Sequence, residues 1–183
     1  MSDKEELNMP KFKYVDDNIA KKFFTKKRNK VLCKCCENET YLVYYTIPYC
    51  EDNIEPICPE CIANGKAAEK FNCDFIDEPY DSDNIIENRD EKIDELTKRT
   101  PEYSAWQQPY YPNHCDDFCK FISYVGYREL KERNILDKII ISSDNDEDSV
   151  KEYIEDLEIG GSLQGYLFEC LKCGQFILHT DCD

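Results

Sequence analysis

Cys33-Lys34-Cys35-Cys36 and Cys58-Pro59-Glu60-Cys61, with 21 residues between them, decide how the rest of the chain is read. A turn with two residues between cysteines lets both sulfurs converge on one ion. A second such pair completes a tetrahedron of four thiolates around Zn²⁺ at about 2.3 Å. In a reducing compartment, repeated pairs of this kind argue for metal rather than disulfides. Cys33, Cys36, Cys58 and Cys61 are therefore the first expected zinc site, set against the plainer alternative of buried reduced cysteines. Between the pairs, Tyr41-Leu-Val-Tyr-Tyr-Thr-Ile47 has the β-branched and aromatic content of a strand. Ile62 to Phe71, directly after the second pair, reads as a short helix. A knuckle, a strand pair and a second knuckle that opens a helix give residues 33–73 a treble-clef-like or ribbon-like plan.

The same logic extends toward the C-terminus. Cys170-Leu171-Lys172-Cys173 lies within Gly165 to Leu178, which reads as a hairpin with a knuckle at its tip. Cys115 and Cys119 are four residues apart, so on a helix they share one face. These four cysteines form the second expected site, which sets the expected zinc at one or two ions. His114 is a rival ligand that could replace Cys115; its alternative role is structural, bonding backbone at a helix start. Cys35, Cys50, Cys73 and Cys182 have no partner at metal spacing and read as buried or free thiols.

Composition bounds the function. The chain has 183 residues, 39 acidic against 23 basic, and a net charge of −16. Its length suits one domain, or two small ones, and is enough for a real core. A hydrophobic fraction of 41%, with 13% aromatic, is too high for a disordered chain. No apolar run reaches the roughly 18 residues of a membrane-spanning helix. The start, Met1-Ser-Asp-Lys-Glu-Glu6, is unlike a secretory signal, so the expected compartment is the cytoplasm. So acidic a protein is repelled by nucleic acid and anionic membrane, and suits a basic protein partner. The charge is uneven: residues 74–102 hold 4 basic and 11 acidic groups, and residues 137–158 hold 2 and 9. These blocks are solvated loops and helix faces, or else a docking surface in which Asp144, Asp146, Glu147 and Asp148 take part. Lys21 to Lys30 has the opposite sign and includes Phe23 and Phe24. It reads as a nucleic-acid strip, or as an edge whose cations pair with the chain's own acidic blocks.

Glu91 to Thr100 reads as a helix ending at Pro101, with Ile93 and Leu96 inward. Glu102 to Pro112 is rich in aromatics and proline; it is a packed cap over the core or a recognition surface built on Trp106, Tyr110 and Tyr111. Asp116 to about Arg133 reads as a helix on the apolar face Phe118, Ile122, Val125 and Leu130, interrupted by Gly126. Asp137 to Ser142 is strand-like. Ser149 is placed to cap a helix over Val150–Leu157 that ends at Gly160-Gly161. The expected fold is α+β, with short antiparallel strands, about four helices and zinc-stapled subregions. It forms a single domain over 1–183, with a first knuckle region at 33–73 and a helical segment plus knuckle hairpin at 103–183.

Four runs carry a family resemblance. Cys58-Pro-Glu-Cys-Ile-Ala-Asn-Gly-Lys-Ala-Ala-Glu-Lys-Phe71 resembles CPxCIAxGxAAxKF, and Glu95-Leu-Thr-Lys-Arg-Thr-Pro-Glu-Tyr-Ser-Ala-Trp-Gln-Gln108 resembles LxxRTPGYxGWQQ. His114-Cys-Asp-Asp-Phe-Cys-Lys-Phe-Ile-Ser-Tyr-Val-Gly-Tyr127 resembles HCxDxCxFxGYVGW, and Gly165-Tyr-Leu-Phe-Glu-Cys-Leu-Lys-Cys-Gly174 resembles GYLFxCLxCG. On these motifs, and on Pro10-Lys-Phe-Lys-Tyr14, the chain is identified as a member of the CbrC family. Glu37, Glu102 and Ala105 depart from it where glycines are usual, and Tyr127 where Trp is. The resemblance implies a bacterial protein that protects a cell from a colicin-like toxin, and it implies no reaction.

The residues themselves also argue against catalysis. The only histidines, His114 and His179, lie in HCDDF and HTDCD. Neither makes the HExxH of a metalloprotease nor the HxE of a zinc deaminase. The expectation is a non-enzymatic cytoplasmic immunity protein that binds a basic, nuclease-type toxin domain through acidic surface. The alternatives are a zinc-dependent enzyme and a nucleic-acid-binding zinc module.

Overall fold

A computed structural model describes residues 9–77, 86–143 and 145–183. Helix α1 spans Asp17–Ala20, started by the Asp16 carboxylate accepting from the Asn18 N–H at 2.9 Å. One 3₁₀ turn leads into β1, Phe24–Leu32, which pairs antiparallel with β2, Glu39–Tyr44. The ladder runs from Phe24 opposite Tyr44 to Leu32 opposite Glu39, and its register shifts between Lys26 and Val31. The expected strand at 41–47 therefore lies two residues earlier.

The expected helix from Ile62 to Phe71 is two helices, α2 at Pro59–Ala63 and α3 at Lys66–Phe71. Pro59 starts α2 where its missing N–H costs nothing. Gly65, with φ 75°, separates the two. Helix α4, Arg89–Arg99, ends before Pro101 as its sequence predicts, with Leu96 buried.

The largest departure is at residues 113–133, where the helical spacing of Phe118, Ile122, Val125 and Leu130 misleads. The segment is a two-residue hairpin, β3 (Asn113–His114) and β4 (Asp117–Phe118), followed by β5 (Lys120–Val125) and only then by α5 (Tyr127–Glu132). Phe121, Ile122, Tyr124 and Val125 are aromatic or β-branched and suit a pleated surface, where β7 supplies partners for Phe121, Tyr124 and Val125 and the register shifts at Ile122. Gly126 begins the helix rather than interrupting it. Its N–H donates to Glu129 Oε2 at 2.9 Å, and a Cβ there would meet the Leu157 carbonyl at 2.6 Å.

The chain continues through β6 (Ile140–Ile141), α6 (Glu147–Tyr153), β7 (Leu163–Glu169) and β8 (Phe176–Cys182). Helix α6 starts three residues earlier than expected, because Asp146 takes the cap and accepts from the Ser149 N–H at 2.8 Å and its hydroxyl at 2.6 Å. The sheet order is β5-β7-β8-β6, antiparallel except for β6 beside β8. The fold is α+β, as expected.

The sheet is buried on both faces, and strand periodicity sorts the residues. Tyr166, Phe168 and Ile177 join the larger core with Tyr103, Phe121 and the first cysteine region. Leu167 and Leu178 point the other way, onto Val125, Leu130, Val150 and Leu157. Tyr103 is the hub of the larger core. It stacks on Phe121 at 4.4 Å and meets Tyr111, Tyr166 and Phe168 at 5.3 to 5.9 Å. Among the described residues no helix is long and apolar enough to cross a membrane.

Candidate metal centres

Among the described residues two groups of four ligand side chains come together, each with its ligand atoms within 4.8 Å of one another. The first is Cys33, Cys36, Cys58 and Cys61, as the spacing predicts. Cys33 follows β1, Cys36 lies in the turn beyond it, Cys58 caps α2 and Cys61 sits inside α2. The Cys33 and Cys61 sulfurs are 3.9 Å apart, as are those of Cys36 and Cys58. Thiolates bound at about 2.3 Å in a tetrahedron stand about 3.8 Å apart, so the spacing fits a four-coordinate ion. The sulfurs also bear on one another's protons. The Cys58 contact and neighbouring backbone donors pull the Cys33 thiol down to about 4. Cys58 is driven up by its contact with Cys33 and by burial, and Cys61 by burial. Four thiolates cannot share this space unaided, and a divalent cation would supply the missing positive charge.

The second group is His114, Cys115, Cys170 and Cys173. The expected member Cys119 is replaced by His114, and Cys115, which His114 was expected to rival, stays. The cause is the hairpin. With no helix here, Cys115 and Cys119 share no face. Cys119 lies beyond β4 and points into the larger core, fully buried, where desolvation raises its thiol. His114 ends β3 and presents Nδ1 to Cys173 Sγ at 3.4 Å. The hairpin loop is Cys115-Asp116, with φ 52° and 66°, the double left-handed geometry of a primed turn that usually takes Asn-Gly. Asp116 anchors it: its carboxylate accepts from Glu87 N–H at 2.5 Å and from Lys92 Nζ at 3.2 Å. At Cys170 burial raises the thiol, but the Cys173 and Lys172 N–H groups and His114 outweigh it and hold it at about 6.

The two Cys-x-x-Cys turns are built alike. The Cys33 N–H donates to Asn38 O at 2.9 Å and Glu37 N–H returns to Cys33 O at 2.8 Å. Likewise the Cys170 N–H donates to Gln175 O at 2.8 Å and Gly174 N–H returns to Cys170 O at 3.0 Å.

These residues fall within a wider match. The model of the uncharacterised protein family UPF0167 matches residues 9–182, nearly the whole chain. The chain belongs to the UPF0167 family. UPF0167 proteins of Mycobacterium bovis and Mycobacterium tuberculosis are each 31% identical to it, over 94% of this chain and 93% of theirs. A UPF0167 protein of Pseudomonas aeruginosa is 28% identical over 96% of this chain and 97% of its own. No solved structure matches. The CbrC assignment is thereby corrected: the family model and these relatives carry the UPF0167 name, and none names CbrC.

The remaining candidate residues of this UPF0167 chain are scattered. Trp106 is about half exposed and its indole N–H donates to Gly161 O at 3.0 Å, whereas Tyr110 and Tyr111 are buried. Tyr110 and Tyr111 are thus packed, whereas Trp106 keeps half its surface in solvent. Asp146 caps α6, Glu147 pairs with Lys151 at 2.6 Å, and Asp148 is exposed. Asp144 lies outside the described residues. The basic strip runs from the 3₁₀ turn at Lys21–Phe23 into β1, which is exposed from Thr25 to Lys30. Among the described residues its only ion pair is Lys30 with Glu39 at 3.9 Å.

Proposed function

We propose that both groups hold structural Zn²⁺ and that the chain is a non-enzymatic cytoplasmic protein that binds a basic protein partner through its acidic surface. One observation carries the reading: each group offers four protein ligands, two from each of two elements. Four protein ligands close the coordination sphere, whereas a catalytic zinc keeps a position open for water or substrate. In the first group the ion ties the end of β1 to α2, and in the second it ties the β3–β4 hairpin to the tip of the β7–β8 hairpin. Bound zinc deepens the charge. Four thiolates leave −2 at the first centre, and three thiolates with a neutral imidazole leave −1 at the second.

A surface of that sign suits a partner evolved to hold phosphate, and the nucleic-acid-binding face of a nuclease-type toxin domain has that chemistry. Metal analysis of the purified chain should find about two zinc ions per molecule. Titration with an inactivated basic nuclease domain should give a complex whose association slows steeply as salt rises; affinity indifferent to salt would end the electrostatic part of the reading. A second reading, nucleic-acid binding, is favoured by the exposed Lys26, Lys27 and Arg28 of β1, and a gel shift at low salt separates the two.

A further inference from the structure

The two centres differ in what surrounds their sulfurs. In the first, Cys33, Cys58 and Cys61 are buried and Cys36 is half-buried. In the second, Cys115 and Cys173 are exposed, and only Cys170 is buried. Cys170 is also engaged, its thiol facing His114 O at 3.6 Å and its sulfur accepting the Lys172 N–H at 3.4 Å. Cys115 sits on the loop of a two-residue hairpin in a left-handed conformation that a non-glycine residue holds only under constraint. Thiolate oxidation follows access to the sulfur, and its resolution to a disulfide needs a second thiol beside it. The second centre has both: two exposed thiols, from different elements, in one group with ligand atoms within 4.8 Å.

We propose that the second centre is an oxidation site at which a hydroperoxide joins Cys115 to Cys173 and expels the metal, while the first centre keeps its ion. This rests on the zinc reading above. The Cys115 thiolate attacks the peroxide, breaking its O–O bond to give a sulfenic acid and hydroxide. The Cys173 thiolate then attacks the sulfenic sulfur and releases a second hydroxide. Two thiolates lose two electrons in all and one peroxide gains them, forming one S–S bond. Zinc is left with only Cys170 and His114, and two protein ligands do not retain it. The new disulfide spans the contact the ion had bridged, so the hairpin and the knuckle stay tied.

The test is hydrogen peroxide added to the zinc-loaded chain with a chromophoric chelator present. We expect one zinc per chain in a fast phase and the other at least about tenfold slower, as exposure differs between the centres. Peptide mapping after the fast phase should find Cys115 linked to Cys173, and a reductant with added zinc should restore the count. Cys182→Ser removes an exposed thiol outside both groups and should leave the fast phase unchanged. Cys115→Ser removes a ligand, so it should begin with about one zinc per chain and show no fast phase. Release of both ions in one phase, or a Cys115–Cys173 link missing from the mapped peptides, overturns the inference. A starting count below two zinc ions in the unsubstituted chain overturns the two-centre reading as well, so the failures are told apart before oxidant is added.

Discussion

Glu37 and Gly174 occupy the same position in two separate turns: each follows the second cysteine of its pair, with φ 62° and 73°, and each returns its N–H to the first cysteine's carbonyl. The left-handed conformation is free to glycine and strained for glutamate. Glu37→Gly should therefore stabilise the chain by about 0.5–1 kcal/mol, the gain in strain exceeding the entropy glycine adds to the unfolded state. Gly174→Glu should cost about as much. Urea midpoints of the zinc-loaded variants check both, and a Gly174→Glu midpoint equal to that of the parent would contradict the account.

His114 and Cys119 exchange roles between sequence and structure, and metal stoichiometry distinguishes them. His114→Ala should lower bound zinc from about two to about one per chain, while Cys119→Ala should keep both ions and lose stability through its core cavity. The opposite pattern would restore Cys119 as the ligand.

Glu102 carries a pH dependence. Burial is the main cause that lifts its carboxyl to about 7, opposed by the Tyr49 hydroxyl donating at 3.0 Å. The folded chain thus holds this proton more tightly than the unfolded chain, whose glutamate titrates near 4.3. Stability from this group is present below about 4.3 and lost as pH rises through about 7. Glu102→Gln keeps an acceptor for Tyr49 and removes the buried charge. It should raise the melting temperature at pH 8 and change it little at pH 4; equal shifts at both would contradict a titrating Glu102.

Tyr103 and Trp106 are three residues apart, with opposite energetic weight. The Tyr103 hydroxyl donates to Tyr110 O at 2.7 Å and accepts the Tyr110 N–H at 2.8 Å, and its ring is the hub of the larger core. Tyr103→Ala should cost about 3–5 kcal/mol, and Tyr103→Phe about 1–3 for the backbone groups left unpaired. Trp106→Ala, at a half-exposed site, should cost less than either. Chemical denaturation ranks the three.

Gly126 marks the change from strand to helix for a steric reason. A methyl group there meets the Leu157 carbonyl at 2.6 Å, so Gly126→Ala must displace backbone and should destabilise by about 1–3 kcal/mol. An unchanged unfolding midpoint would show that the Leu157 turn yields freely.

Chemistry confined to a few neighbouring residues was legible in the sequence. The Cys-x-x-Cys turns, the helix ahead of Pro101, the hairpin from Gly165 and the α+β class all follow from local spacing and turn residues. The segment from His114 to Arg133 was not, because Phe118, Ile122, Val125 and Leu130 satisfy a helical period while the aromatic and β-branched residues of 121–125 suit a strand equally well. Only β7, more than 35 residues away, settles that choice, by pairing Phe121 with Phe168 and Tyr124 with Tyr166. Once β5 is a strand, the residues before it become a tight hairpin, Cys119 turns inward, and His114 meets Cys173. The sequence alone determined which residues could bind metal, since ligand chemistry and turn spacing are local. Tertiary structure decided which of them come together in one ligand group, since that depends on strand pairing between distant segments.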